Sequence, residues 1–117
     1  MDEVIQRKDE GEETAVLVGV ITFGQSEEQV KEYLDELEFL AHTAGAITQK
    51  RFVQKVDQPN PKTYIGSGKV DEIKAYIKEE CIEVVIFDDE LSPSQLRNLE
   101  RTFKIKLLDR SNLILDI

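Results

Sequence analysis

The chain has 117 residues, 40% of them hydrophobic, which is enough for one domain with its own core. It has one cysteine, no apolar run of membrane-spanning length and no signal segment at its start. These features exclude disulfides, zinc sites and a membrane span, and they predict a cytoplasmic protein. The formal net charge of −9 argues against a free-standing nucleic-acid binder, because repulsion slows the approach to phosphate.

Residues 1–13 form a strongly acidic segment with six acids and two bases, so they contribute −4 and leave −5 for the remainder. We expect this segment to be a flexible tail. Basic residues cluster locally farther along the chain, which keeps a local cationic face available despite the overall charge. These residues are Lys50, Arg51, Lys55, Lys62 and Lys69.

Four segments have the length and composition of β-strands. Residues 15–21 and 84–87 are continuous apolar runs, which are typical of strands buried on both faces. Residues 47–56 and 105–108 are predicted as outer strands, and the mixed polarity of 47–56 suits an edge position. Because helical patterns separate these strands, we predict a three-layer α/β fold with a four-stranded, mainly parallel sheet of order 2-1-3-4 and helices on both faces.

Helix starts are marked by two capping boxes, in which a serine is followed three residues later by glutamine. Ser26 with Gln29 predicts one start, and Ser92 with Gln95 predicts another. A further helix follows the glycine-rich stretch at 66–69 and is expected to run to about Cys81. We interpret Cys81 as a small core residue, because no basic or cationic pattern surrounds its thiol.

The stretch Gly66-Ser67-Gly68-Lys69 leads directly into this helix. Its glycines let the backbone approach another group closely, and a helix start offers unpaired N–H groups and a partial positive charge. Lys69 adds a cation, with Lys62 nearby, so the phosphate of a nucleotide or of an RNA backbone is the candidate ligand. These residues alone favour the alternative, in which Ser67 or Gly68 simply caps the helix.

Established nucleotide-binding motifs do not match this stretch. The phosphate loop of NTPases requires G-x-x-x-x-G-K-[ST], but Thr63 replaces its first glycine and Val70 replaces its hydroxyl residue. The dinucleotide fingerprint G-x-G-x-x-G fails because Asp71 replaces its last glycine. The sequence also shows no nucleophile–base pair, metal cluster or cofactor fingerprint, so we expect no enzymatic activity, cofactor or metal in this chain.

The predicted strand order places a ligand crevice between the carboxyl ends of the first and third strands. Thr22, Phe23, Asp88 and Asp89 follow those ends. A phosphoacceptor receiver domain would need acids after the first strand, where this chain has Thr22 and Phe23. Asp88 and Asp89 are therefore interpreted as helix-entry acids, stabilised by the helix dipole.

Three longer segments occur in a recognisable order along the chain. They are Pro59–Lys69, Phe87–Glu100 and Leu108–Ile117. Together they resemble the N-terminal domain of the HflX family of ribosome-associated GTPases, and the resemblance covers residues 15–117. One departure is Ser111-Asn112, where the family usually has Thr-Gly. We expect this difference to alter only a helix start.

The resemblance implies an N-terminal α/β domain at residues 14–110 and the start of a truncated helical linker at 111–117. In the family a helical hairpin and a GTP-binding domain follow, and the latter uses GTP and magnesium. Family members bind the large ribosomal subunit and split or rescue ribosomes. The implied partners of this chain are therefore ribosomal RNA and its own GTPase domain and helical hairpin.

The resemblance thus implies a ribosome-docking and regulatory domain without GTPase activity. It also makes the glycine-rich stretch, with Lys62, a contact site for ribosomal RNA or nucleotide phosphate. A second hypothesis remains open at this point. In it, the chain is an α/β module that binds a nucleotide or another small ligand in the crevice and uses the glycine-rich stretch as a phosphate cradle.

Overall fold

A four-stranded sheet forms the centre of the molecule, whose computed structural model describes residues 11–116. The strands are β1 (Glu13–Ile21), β2 (Ala46–Lys55), β3 (Val84–Phe87) and β4 (Lys106–Asp109). Their order is β2-β1-β3-β4, and every neighbouring pair is parallel. The predicted order is confirmed. β1 and β3 lie inside because their continuous apolar sequence suits burial on both faces.

Helices cover both faces of this sheet. They are α1 (Glu27–Thr43), α2 (Ser67–Glu80), α3 (Pro93–Phe103) and α4 (Arg110–Asp116). On one face Val18 of β1 belongs to a core cluster with Ile73 of α2 and Leu99 of α3. On the other face Leu17 belongs to a cluster with Leu34 of α1 and Leu113 of α4. Alternate strand residues point to opposite faces, so β1 supplies both cores and the three-layer prediction is confirmed.

Local sequence signals place the helix starts. Both predicted capping boxes are present, at Ser26 with Gln29 and at Ser92 with Gln95, and Pro93 opens α3. The start of α2 differs from the prediction, since the cap is Gly66 and no side chain accepts a hydrogen bond there. Ser67 and Gly68 are therefore the first two residues of the helix.

The observed bounds differ from the predicted ones at the amino-terminal end of β1. The strand begins at Glu13, before the apolar run, because the Glu13 N–H donates to the Gly45 carbonyl and the Glu83 N–H donates to the Thr14 carbonyl, both at 2.9 Å. Residues 1–10 of the predicted acidic tail lie outside the described residues. Among residues 11–116 there is no helix with the length and hydrophobicity needed to cross a membrane.

The prediction that Cys81 is a core residue is wrong. Its side chain is exposed, and its backbone adopts the left-handed conformation (φ 54°) that ends α2. This conformation turns the chain so that the next residue, Ile82, enters the core with 3% exposure. The way in which α2 ends therefore decides that Ile82, and not the adjacent Cys81, is buried.

Candidate functional site at the carboxyl edge of the sheet

The turns that leave the strands meet at the carboxyl edge of the sheet, as in other parallel sheets. A crevice of about 310 Å³ opens there, between the ends of β1 and β3. It is lined by Gln25, Tyr33, Glu36, Asp88, Asp89 and Arg110. The predicted crevice therefore contains Asp88 and Asp89, whereas Thr22 and Phe23 line a separate cleft of about 200 Å³ beside the end of β2.

Arg110 closes one side of the crevice. Its Nη2 lies 2.5 Å from Oδ1 of Asp88, and its Nε donates to the same oxygen at 3.1 Å. The remaining donors reach α1, where Nη1 binds Glu36 at 2.6 Å and Nη2 binds the Tyr33 carbonyl at 3.0 Å. Asp88 is only 8% exposed, so this guanidinium compensates a buried negative charge.

Asp89 lies beside Asp88 and accepts a hydrogen bond from the hydroxyl of Tyr64. Burial raises the pKa of Asp89 above its usual value, and the charge of Asp88 raises it further. Burial also raises the pKa of Tyr64, whose ring packs edge-on against Phe87 with a centroid distance of 6.2 Å. Tyr64 therefore joins the glycine-rich stretch to the end of β3.

The interpretation of Asp88 and Asp89 as helix-entry acids is wrong. The first turn of α3 contains no acid, since Ser92 caps that helix. Their partners are Arg110 and Tyr64, which are distant in sequence and come together only through the fold.

Asp109 is a further buried acid, with 3% exposure, that was not among the predicted site residues. Its Oδ2 accepts from the Leu91 N–H at 3.0 Å, and its Oδ1 accepts from the Asn112 N–H at 2.9 Å. The second bond satisfies an N–H in the first turn of α4. Ser111 lies in the same turn and donates to Glu90 at 2.9 Å. The sequence feature that could have indicated this acid is the pair Asp109-Arg110, which directly follows the predicted strand at 105–108.

The glycine-rich stretch runs along the other side of the edge. The Gly66 N–H donates to Oε1 of Gln54 at 2.9 Å, which attaches the stretch to the end of β2. Ser67 and Gly68 are exposed, and a methyl group built onto Gly68 meets no atom within 4 Å. The first turn of α2 contains no acid. The start of this helix is thus open to an approaching anion.

The two predicted lysines occupy different environments. The side chain of Lys69 is 21% exposed, and its Nζ pairs with Glu72 at 3.0 Å, an i,i+3 contact that the sequence spacing allows. Lys62 is exposed, and its backbone is held in a turn by Asn60, which accepts from its N–H at 2.7 Å. Asn98 of α3 donates to the Lys62 carbonyl at 3.1 Å. The structure therefore fixes the position of Lys62 at the edge.

Lys50 and Arg51 do not join Lys62 and Lys69 in one cationic face. Lys50 lies over the rings of Phe52 and Tyr76, 5.4 Å from each centroid. Arg51 pairs instead with Asp35 of α1, at 2.8 Å. Neighbouring residues of a strand point to opposite faces, so these two cations are separated by the sheet.

At the carboxyl edge, the crevice and the start of α2 differ in the charges that surround them. Glu36, Asp88 and Asp89 line the crevice, and Arg110 is already engaged there, so phosphate is repelled. The first turn of α2 contains no acid, so an anion is not repelled there in this way. No group of three or more His, Cys, Asp or Glu residues suited to a metal ion occurs within residues 11–116.

Comparisons with known proteins agree with this architecture. Residues 31–117 match the family described as GTP-binding GTPase N-terminal. The chain is 54% identical over 105 residues to GTPase HflX of Flavobacterium psychrophilum, covering 90% of the chain and 25% of the relative. It is 40% identical over 114 residues to GTPase HflX of Escherichia coli, covering 97% and 26%. The chain thus spans about a quarter of the length of these curated relatives.

A solved structure shows the same fold within a larger protein. It is a GTP-binding protein from Sulfolobus solfataricus in complex with GDP, with a TM-score of 0.65 and 27% sequence identity. The similarity covers 89% of this chain and 29% of that protein. The chain therefore belongs to the GTP-binding GTPase N-terminal family and corresponds to the N-terminal domain of HflX.

Proposed function

We propose that this chain is the ribosome-docking and regulatory domain of an HflX-type GTP-binding protein. The longer protein acts on the large ribosomal subunit in the cytoplasm, where it splits or rescues ribosomes. Its partners are ribosomal RNA and, within the same protein, a helical hairpin and a GTPase domain. GTP and magnesium belong to that GTPase domain, so the domain described here performs no chemistry. The family membership and the roughly fourfold greater length of the relatives support this proposal.

The observation that carries the docking role is the open start of α2. Ser67 and Gly68 are exposed, and a β-carbon built onto Gly68 would meet no neighbouring side chain or distant backbone atom within 4 Å. A phosphate placed here can accept hydrogen bonds from the first N–H groups of the helix, which lack intrahelical partners. Gly66 positions the stretch through Gln54, while Lys62 and Lys69 supply the neutralising charge.

Such contacts position a domain on RNA without reading its sequence. The chain carries a net charge of −9, so its own affinity is weak and falls steeply as salt rises. Lys69 must exchange Glu72 for phosphate, and this exchange reduces its contribution further. Lys62 is exposed and makes the larger contribution of the two lysines.

Co-sedimentation with purified large ribosomal subunits over a salt series tests the proposal. Lys62→Ala should weaken binding. It should also reduce the magnitude of the negative slope of log K against log salt by about 1. Lys74→Ala is the matched control, because Lys74 is exposed on α2 but lies beyond its first turn. Equal binding curves for the Lys62→Ala, Lys74→Ala and unmodified chains would refute the lysine contact.

Gly68→Ala separates phosphate contact from helix capping. The added methyl group meets nothing in the structure, and alanine favours a helix by about 0.5–1 kcal/mol over glycine. If Gly68 has only a structural role at the start of α2, the variant is more stable and binds the subunit with unchanged affinity. If phosphate approaches the backbone there, the variant is more stable yet binds more weakly. We expect the second result.

The alternative, a nucleotide-binding module, predicts that GTP or ATP stabilises this chain by mass action. The acidic crevice argues against it, because Asp88 and Asp89 repel a phosphate. Thermal melts of the chain with and without millimolar nucleotide test it directly. We expect no rise in the melting temperature, and a rise that disappears in Gly68→Ala would favour the alternative.

A further inference from the structure

Phe23 is the most exposed large hydrophobic residue among those described, at 93%. It lies in the turn after β1, where the Gln25 N–H donates to the Thr22 carbonyl at 3.1 Å. Gly24 follows it with a φ of 89°, a conformation that favours glycine. The turn therefore directs an aromatic ring into solvent at the carboxyl edge of the sheet.

This turn is held in one conformation by its own side chains. Oε1 of Gln25 accepts from both the backbone N–H and the hydroxyl of Thr22, each at 2.9 Å. Gln25 is followed directly by Ser26, the capping residue of α1. Because the backbone around Phe23 is already ordered, binding through its ring loses little conformational entropy.

The surroundings of the ring indicate which partner it suits. Phe23 shares its cleft with Lys55 and Asp57, which follow at the end of β2. An aromatic ring beside a cation is the arrangement that binds single-stranded nucleic acid, with the base stacked on the ring and the phosphate near the cation. The carboxylate of Asp57 suits the amino group of adenine or cytosine. A protein partner would instead need a contiguous apolar patch, and the other apolar residues of this cleft add little exposed surface, because Ile21 is buried and Val56 is partly buried.

We infer that Phe23 is a stacking platform for an unpaired base of RNA, with Lys55 neutralising the adjoining phosphate. This inference rests on the proposed function and adds a second contact to it. The glycine-rich stretch lies on the same carboxyl edge and is attached to Gln54, whose side chain points to the face of the sheet opposite that of Lys55. An RNA strand that crosses the carboxyl end of β2 can therefore place a base on Phe23 on one side and a phosphate at the start of α2 on the other.

Tryptophan fluorescence tests the stacking directly, because the chain contains no tryptophan. Phe23→Trp keeps an aromatic platform and introduces a single reporter. Phe39→Trp is the matched control, since Phe39 is 69% exposed but lies on α1 beside a different groove. With single-stranded oligoadenylate at low salt, we expect base stacking to quench the emission of the first variant and leave the second unchanged. Unquenched or equally quenched emission in both variants would overturn the inference.

Binding to large ribosomal subunits supplies a second readout. We expect Phe23→Ala and Phe23→Leu to weaken binding by about 5- to 150-fold, the range for loss of one stacked base, and Phe23→Trp to retain it. Retained binding by Phe23→Leu, together with a blue shift in the emission of the Phe23→Trp variant on subunits, would show insertion into an apolar protein pocket and overturn the inference. Matching thermal melts confirm that each variant is folded.

The same series distinguishes failure of the inference from failure of the proposed function. If Lys62→Ala weakens subunit binding while Phe23→Ala does not, the docking role stands and the stacking platform is refuted. If the unmodified chain fails to bind the subunit even at low salt, the docking role itself is refuted, and the platform on ribosomal RNA with it.

Discussion

Nη2 of Arg110 lies 2.5 Å from Oδ1 of Asp88, and this ion pair joins the start of α4 to the end of β3. The same side chain binds Glu36 and the Tyr33 carbonyl on α1. One residue therefore connects three elements on one side of the carboxyl edge. Since the crevice between the ends of β1 and β3 is lined by these groups, its shape depends on this guanidinium.

We predict that Arg110→Ala lowers the free energy of unfolding by about 1–3 kcal/mol, because Asp88 then remains buried without a cation. Urea unfolding measures the change. The control is Lys31→Ala, which breaks a solvent-exposed pair with Asp35 and should therefore cost much less than Arg110→Ala. Adding Asp88→Asn to Arg110→Ala should recover part of the loss. Equal losses for Arg110→Ala and Lys31→Ala would contradict this account.

We predict that Asp89→Asn stabilises the domain at neutral pH. Burial raises the pKa of Asp89 in the folded state above its usual 3.8, so the folded state binds this proton more tightly than the unfolded state. The contribution of Asp89 to stability therefore falls as the pH rises from the unfolded pKa through the folded one. Asparagine keeps a hydrogen-bond acceptor for Tyr64 but has no charge to bury.

Urea midpoints of Asp89→Asn and the unmodified chain, measured from pH 3 to pH 7, test this prediction. The two proteins should differ least at the acidic end, and the gain should grow with pH. Tyr64→Phe is the companion variant, because it removes the hydrogen bond that lowers the pKa of Asp89. In this variant, stability should decrease more steeply as the pH rises. A difference between Asp89→Asn and the unmodified chain that does not change with pH would show that burial of the charge is not its cause.

We predict that Cys81→Gly stabilises the domain by about 0.5–1 kcal/mol, because glycine adopts the left-handed conformation without a steric penalty. Cys81 has a φ of 54° and an exposed side chain, so little packing is lost. Lys104→Gly offers an independent repeat at the end of α3, where φ is 60°. Alanine at either position retains the β-carbon and should bring no gain. Thermal melts that rank alanine with glycine would disprove the explanation.

We predict that Gly19→Ala lowers stability by about 1–3 kcal/mol through overpacking. A β-carbon at Gly19 would lie 2.9 Å from Cδ1 of Leu34, a residue of α1 that is itself buried. The double variant with Leu34→Ala provides the test, since the smaller side chain leaves room for the methyl group. Gly19→Ala should cost less on that background, and an unchanged cost would mean that Leu34 is not the obstacle.

Sequence patterns that involve only residues close together in the chain were sufficient to predict most of the fold. The capping boxes at Ser26 and Ser92 link residues three positions apart, so they were predicted and are present. The continuous apolar strands likewise predicted the sheet order, because only inner strands are buried on both faces. At the site, the openness of the glycine-rich stretch was consistent with its composition, whereas its cap at Gly66 was not predicted.

Only the tertiary structure decided which charged groups meet at the carboxyl edge. Asp88 is 22 residues from Arg110, and this separation carries no periodic signal that would pair them. The exposure of Cys81 depended in the same way on how α2 ends against the core. Sequence by itself therefore determined the elements and their order, since these depend on neighbours along the chain. The partners of buried charges required the fold, because burial and proximity arise only when distant segments pack together.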